Sequence, residues 1–544
     1  MLLSQCKKEN KPQKQQTKPI VKTPFYWEAA NVYFLLTDRF NIGKSATENQ
    51  LKRDQQTGLL RNFMGGNIAG VTQKIEEGYF DELGVNAIWM TPLMEQVHGA
   101  VDEGTGNTYA YHGYWTKDWT KLDPSFGTLE DLKALVNAAH KRGIRILLDV
   151  VINHTGPVTD LDPVYPDGWV RTGPQCDYTN YHNTTSCTLV ANLPDVKTDS
   201  NEEVALPLML VEKWKKEGRL EEEIAELNAF FKRTGYPRAP RFYIIKWLTD
   251  YIAKLGVDGY RVDTVKHTEA HVWKELHEQA TYTFEKWKEE NPDKVLDDNP
   301  FFMVGEVYGY GISGGRWYDF GDKKVDFFDY GFKSLINFDF KYDAHQDYES
   351  TFCKYDSILN NELKNKTVLN YLTSHDDGEP FDRERNNFYK AANMLLLAPG
   401  SSQIYYGDET LRSLIIEGTE GDATLRSFMN WDELKENENS KASFKHYTKL
   451  GRFRKNHPAV GVGKHKIISH HPYLFARSFQ HIEFKDEVVI GLDLPKGPKT
   501  LNVSAVFPEG TSIKDAYSGK ILTVENGNIT LNTPYSIVLL EKQE

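Results

Sequence analysis

Short apolar runs closing on polar or charged residues recur along this chain, with amphipathic stretches between several of them. The candidate strands are Val32–Leu36, Val85–Met90, Ile144–Val150, Val257–Val262, Phe302–Val307, Leu335–Phe340, Val368–Thr373 and Gln403–Tyr406. Leu129–Lys141 and Phe242–Leu255 carry the helical period between them. Eight strands separated by helices predict an α/β fold, a parallel (β/α)8 TIM barrel rather than a sandwich, over residues 25–154 and 241–455. In such a barrel the working residues lie at the C-terminal strand ends. The interval 155–240 after the third strand is too long for a simple loop and predicts an inserted subdomain. Its second half, Glu202–Phe231, is charged and helical in pattern, a solvated insertion. Residues 456–544 change to short β-rich runs such as Glu487–Leu492, Thr500–Phe507 and Ser536–Leu540, which predict a C-terminal antiparallel β domain. Residues 1–24 read as a disordered tether, since Lys7 to Thr23 is almost all Lys, Gln, Pro and other polar residues.

Composition narrows the class. The 544 residues are 40% apolar and 12% aromatic, a globular composition rich in flat rings that suit sugar stacking as well as cores. A formal charge of −12 argues against nucleic acid as a partner. No apolar run reaches the length of a membrane span. Met1-Leu2-Leu3-Ser4-Gln5-Cys6 followed by a polar linker looks like the tail of a lipoprotein signal, with Cys6 the lipidated residue and a possible membrane tether. Cys176 and Cys187 sit in a Gly/Pro/Asn-rich loop; in an exported protein they would be bridged, in a cytosolic one two free thiols.

The polar strand ends carry the candidate chemistry. The third strand closes on Asp149-Val150-Val151-Ile152-Asn153-His154. The fourth supplies Arg261, Asp263, Lys266 and His267, with Arg261 and Asp263 on one face by strand alternation. Glu306 is a lone carboxylate on an apolar fifth strand, where burial favours the protonated acid. The seventh ends on Thr373-Ser374-His375-Asp376-Asp377. Asp263, Glu306 and Asp376 are thus expected to converge at one rim. One charged carboxylate that attacks and one neutral acid that donates are the minimum for cleaving a glycosidic bond. A divalent-metal site is the competing reading of three acids, weakened by Arg261 and Lys266 alongside.

Taken together and in this order, these segments resemble the signature regions of the α-amylase family of glycoside hydrolases. Tyr111-His112-Gly113-Tyr114-Trp115, Leu193-Pro194-Asp195-Val196 and Ile404-Tyr405-Tyr406-Gly407-Asp408-Glu409 are similar to further family segments, over about Phe25 to His457. Thr264-Val265-Lys266-His267 resembles the α-1,4-acting pattern. The run Leu193–Ser200, the charged insertion after it and Trp119–Asp123 look most like the periplasmic α-amylases of Gram-negative bacteria. The seventh-strand end departs, with Thr373-Ser374 where Asp-Asn often precedes the histidine.

The resemblance implies Asp263 as nucleophile, Glu306 as acid and base, and Asp376 as the group that holds and distorts the sugar. It implies retention, with the two main carboxyls about 5–5.5 Å apart. Tyr114 would stack under the sugar; His112, Trp115, His154, Arg261 and His375 would line the same subsite, and Lys266 and His267 the leaving-group side. Asn153, Asp195 and the His267 carbonyl match positions that hold structural Ca2+. The implied partner is an α-glucan polysaccharide or maltooligosaccharide, met by a monomer exported to the periplasm or cell surface. A glucan transglycosylase and a non-catalytic starch-binding protein are the alternative readings.

Overall fold

The computed structural model describes residues 23–44, 51 and 53–543; all but the last two residues of the tether expected over 1–24, Cys6 included, lie outside them. Eight parallel strands close into a barrel in sequential order: β1 Asn31–Leu35, β2 Ala87–Met90, β3 Arg145–Val150, β4 Gly259–Val262, β5 Phe302–Gly305, β6 Ser334–Asn337, β7 Thr367–Tyr371 and β8 Ser401–Tyr405. Every expected strand is present. Five stop one to three residues early, where the chain leaves the ladder to form the rim. All eight are buried along their length, which a barrel wrapped by helices requires.

The helices that position the site include α1 Ile68–Glu76, α2 Leu129–Lys141, α3 Leu208–Lys216, α4 Leu220–Thr234, α5 Pro240–Leu255 and α6 Ala270–Glu290. Helix α2 starts on a capping box in which Thr128 and Asp131 satisfy each other's backbone N–H groups. Helix α5 begins with Pro240 in its first turn and ends on Gly256 at φ 70°, a left-handed C-terminal stop before β4. Gly259 opens β4 where a Cβ would sit 2.4 Å from the Phe302 carbonyl oxygen, so only glycine lets β4 and β5 close up. The charged stretch over 202–231, expected to be helical, forms two helices, α3 and α4, with Gly218 between them. Lys213 of α3 reaches back to Asp118 at 2.6 Å.

Beyond helices α7 Tyr348–Asn360, α8 Phe388–Leu397 and α9 Glu438–Asn456, the C-terminal strands are β9 Lys464–Ser469, β10 Tyr473–His481, β11 Phe484–Leu492, β12 Gly497–Asn502, β13 Ser512–Asp515, β14 Lys520–Thr523, β15 Asn528–Thr533 and β16 Val538–Lys542. They form a six-stranded antiparallel sheet, β9-β10-β11-β16-β13-β14, and the separate pair β12-β15. The expected run to Phe507 stops at Asn502, where the chain turns. At the end of α9 the His457 ring bridges Asp486 of β11 at 2.8 Å and Glu541 of β16 at 2.7 Å, tying the sheet to the barrel's last helix.

Candidate active site

Asp263, Glu306 and Asp376 follow β4, β5 and β7, so the fold brings all three to the C-terminal rim. Beneath them Phe34 and Trp89 stack at 3.6 Å, and the Arg261 guanidinium lies 4.9 Å from the Trp89 ring centre. This buried floor leaves the polar groups above little water to share.

Arg261 organises the cluster. Its Nη1 donates to Asp263 Oδ1 at 2.5 Å and to Asp149 Oδ1 at 3.0 Å, while Nη2 lies 3.2 Å from Glu306 Oε2. One cation therefore faces three carboxyls, and a low-dielectric site cannot hold all three ionised at little cost. Burial raises the Glu306 pKa well above the usual carboxyl range; Arg261 opposes this, and Asp263 and Asp376 add to it. Burial also pushes Asp149 up to about 7, against Arg261 and with Asp263. The Asp376 carboxyl is raised by its sunken position, opposed by Arg261 and Arg426, although its side chain remains 34% exposed to the cleft.

The backbone supports the arrangement. Thr264 leaves β4 at φ 50°, a left-handed conformation uncommon for a β-branched residue. That turn lets the Thr264 N–H donate to Glu306 Oε2 at 2.9 Å. Strain of this kind, on the order of 1–3 kcal/mol, persists where surrounding structure over-determines it.

The other expected residues surround this centre unequally. The Tyr114 hydroxyl donates to Asp149 Oδ2 at 2.8 Å, and its ring stacks on His375 at 5.2 Å. His112 Nδ1 accepts the Tyr114 N–H at 3.1 Å, which leaves the Nε2 proton for other partners. Burial first, then nearby cations such as Arg426, lowers the pKa of His112 and His375 well below the imidazole range, so both are neutral donors or acceptors. His154 Nε2 donates to the Tyr114 carbonyl at 3.1 Å. Trp115 is a buried prop, edge-on to His112 and packed in a small cluster with Val97, Ala110 and Leu193. Lys266 sits among the rings of Tyr178, Tyr308 and Tyr318, 5.8, 5.2 and 5.7 Å from their centres. His267 turns its Nδ1 to the Thr184 carbonyl at 3.2 Å.

Asn153, Asp195 and His267 come together: Asn153 Nδ2 lies 2.8 Å from Asp195 Oδ1 and 3.1 Å from the His267 carbonyl oxygen. Asp195 Oδ2 is buried without a hydrogen bond. No group of three or more His, Cys, Asp or Glu able to hold a metal occurs among the described residues. Asp408 and Glu409 do structural work: Arg385 Nη1 lies 2.9 Å from Asp408 Oδ1, and Glu409 Oε1 accepts the Tyr33 hydroxyl at 2.7 Å.

Sequence reasoning gave no role to Asp149, although it is the sole carboxylate in the apolar run of β3. It also passed over Arg426, whose Nε donates to the His375 carbonyl at 2.8 Å. Cys176 and Cys187 form a disulfide.

The family model described as alpha amylase, catalytic domain, matches residues 34–430. Periplasmic alpha-amylase from Escherichia coli is 35% identical over 496 residues, covering 81% of this chain and 69% of that protein. Cyclomaltodextrin glucanotransferase from Geobacillus stearothermophilus is 26% identical over 482 residues, covering 85% of this chain but 59% of its own length. Among solved structures, an Anoxybacillus alpha-amylase superposes with a TM-score of 0.65 at 21% identity, over 96% of this chain and 100% of that one. The alpha-amylase from Geobacillus thermoleovorans, complexed with acarbose, gives 0.65 at 20% identity with the same coverage. These two likenesses concern the fold.

Proposed function

The chain belongs to the α-amylase family of glycoside hydrolases, and on that premise we propose that it cleaves α-1,4-glucosidic bonds of starch, glycogen or maltooligosaccharides with retention. The observation that carries the reading is the single Arg261 guanidinium shared by Asp263 and Glu306 at the strand ends. Asp263, oriented by Arg261, attacks the anomeric carbon and forms a covalent glycosyl-enzyme. Glu306 gives its proton to the departing oxygen, then takes one from the water that releases the sugar. Asp376 holds the sugar hydroxyls as the ring flattens. Tyr114 lies under the ring, with His112 and His375 donating around it, while His154 spends its one N–H on the Tyr114 carbonyl and braces that residue. Lys266 and His267 face the departing chain.

We infer that Asn153, Asp195 and the His267 carbonyl would hold a structural Ca2+, and the bonding of His154 supports the reading. The two ring nitrogens of His154 face two oxygens, the Tyr114 carbonyl and Asn153 Oδ1 at 3.3 Å, whereas a neutral imidazole carries one N–H. Turning the Asn153 amide over gives His154 the donor it lacks. It also directs Oδ1 toward Asp195 Oδ1 and the His267 carbonyl, an all-oxygen set suited to a hard cation. Bound there, the ion would pin the inserted segment to the barrel. EDTA is expected to lower the melting temperature, with Ca2+ restoring it; an unchanged melt removes the ion from the account.

The disulfide and the periplasmic relative support export, with the enzyme acting as a monomer in the periplasm or at the cell surface. Lipidation at Cys6 would add a membrane tether. The glucanotransferase likeness favours one alternative, transfer of the glycosyl group to another sugar. Incubation with maltoheptaose decides: shorter α-anomeric products support hydrolysis, chains longer than the substrate support transfer, and no reaction sinks both.

A further inference from the structure

A second concave site lies outside the catalytic rim, between the starts of α7 and α8 and the turn after β11. It is a cavity of about 580 Å3, within the range of small-ligand sites, and none of Asp263, Glu306 or Asp376 lines it. The Tyr389 ring borders it, 50% exposed although backed by Phe388 at 4.3 Å and His446 at 4.8 Å. A flat ring held rigidly from behind and bare in front is a stacking platform.

Three of the polar side chains that line it are unspent. Asn386 and Asn387 anchor their backbone N–H groups on Asp382 at 2.9 and 3.0 Å, and no hydrogen bond occupies either amide side chain among the described residues. Asp493, at the cavity's other edge, holds a left-handed turn at φ 52°, and its carboxylate has no hydrogen bond there either. Asn393 is 8% exposed, its Nδ2 donating to the Tyr348 hydroxyl at 3.3 Å while its buried Oδ1 has no partner. A buried polar atom without a partner calls for an explanation, and a bound ligand supplies one here. Neutral amides that donate and accept, one carboxylate and an aromatic face together match one chemistry: a ring with an apolar face and a girdle of hydroxyls.

We infer that this cavity is a second α-glucan site, which holds glucose units of a polysaccharide on Tyr389 and hydrogen-bonds their hydroxyls through Asn386, Asn387 and Asp493. It rests on the functional reading above. A long chain held at this site raises the effective concentration of its neighbouring segments at the rim, whereas a short oligosaccharide gains nothing.

The test compares glycogen with maltoheptaose. Tyr389→Ala is expected to raise the half-saturating glycogen concentration about three- to tenfold, with kcat/KM on maltoheptaose unchanged and Tyr389→Phe behaving like wild type. Retardation of Glu306→Gln in native gels containing amylopectin should weaken when Tyr389→Ala is added. Equal loss on both substrates, or no change on either substrate and in the gel, overturns the second site. Failure of wild type to act on either substrate overturns the functional reading and this site with it. Tyr389 is exposed, and an unchanged melting curve for Asn387→Ala, which should show the same glycogen-only defect, separates binding from folding.

Discussion

Two charge clusters in this molecule are built from the same kinds of group and end in opposite states. At the rim one guanidinium, Arg261, serves Asp149, Asp263 and Glu306. At the barrel–sheet junction one imidazole, His457, serves Asp486 and Glu541, but there Lys514 pairs with Glu541 at 2.9 Å and the Ala459 N–H donates to Asp486 at 2.8 Å. Burial pulls the His457 pKa down, yet the hydrogen bonds it donates to its two carboxylates push it up to about 9. Burial at the rim wins instead, and Glu306 is pushed above the carboxyl range. A cluster whose charges are matched by local donors stabilises the fold; one short of cations keeps a proton in place for chemistry. The difference lies in the ratio of cations to acids, one to three at the rim and two to two at the junction.

The largest expected effects break the rim. Asp263→Asn should cost about 10^4-fold in kcat, as loss of a member of a catalytic unit does. Glu306→Gln should cost about 10^2- to 10^4-fold, the usual worth of a positioned acid; reducing-sugar release from starch measures both. A loss under tenfold in either would remove that residue from the chemistry. The same Glu306→Gln change should raise the melting temperature at pH 8. An acid whose folded pKa is raised loses stability as pH rises past its unfolded value, and the amide escapes that loss.

Arg261→Met comes next. It leaves three acids without their cation, and breaking a buried pair from one side costs about 3–5 kcal/mol, readable by urea denaturation at pH 7. Stability unchanged there would mean that the carboxyls, not the guanidinium, hold the cluster.

His457→Gln tests the other half of the comparison. A histidine raised from about 6.5 to about 9 contributes stability that is whole below pH 6.5 and lost as pH climbs through 9. The contribution is about 3 kcal/mol. Wild type should therefore lose melting temperature between pH 6.5 and 9.5 more steeply than His457→Gln, with starch hydrolysis per folded molecule the same in both. Parallel curves contradict the clamp. The smallest effect is at Lys514, 44% exposed, where Lys514→Met should shift stability by under about 1 kcal/mol.

The barrel was legible because each strand is a short apolar run closing on polar residues, and that pattern is local. Asp263, Glu306 and Asp376 were legible as candidates for the same reason: each interrupts or ends such a run. Asp149 stood in the same kind of run but had no visible partner, because its bonds go to Tyr114 and Trp89, 35 and 60 residues earlier, and to Arg261, 112 residues later. His457 was placed near the boundary between barrel and sheet, yet its partners lie 29 and 84 residues downstream. Pairings at such separations leave no trace in periodicity; only closure of the barrel and folding of the sheet against it bring them together.

The central claim is that the surplus proton at the rim sits on Glu306. The pH dependence of kcat/KM tests it most directly, using an α-maltoside whose leaving group needs no protonation beside one whose leaving group does. Wild type should lose activity on the demanding substrate as pH rises through the raised Glu306 pKa, and Glu306→Gln should lack that alkaline limb on the undemanding one. An alkaline limb that survives unchanged in Glu306→Gln would assign the proton to another group.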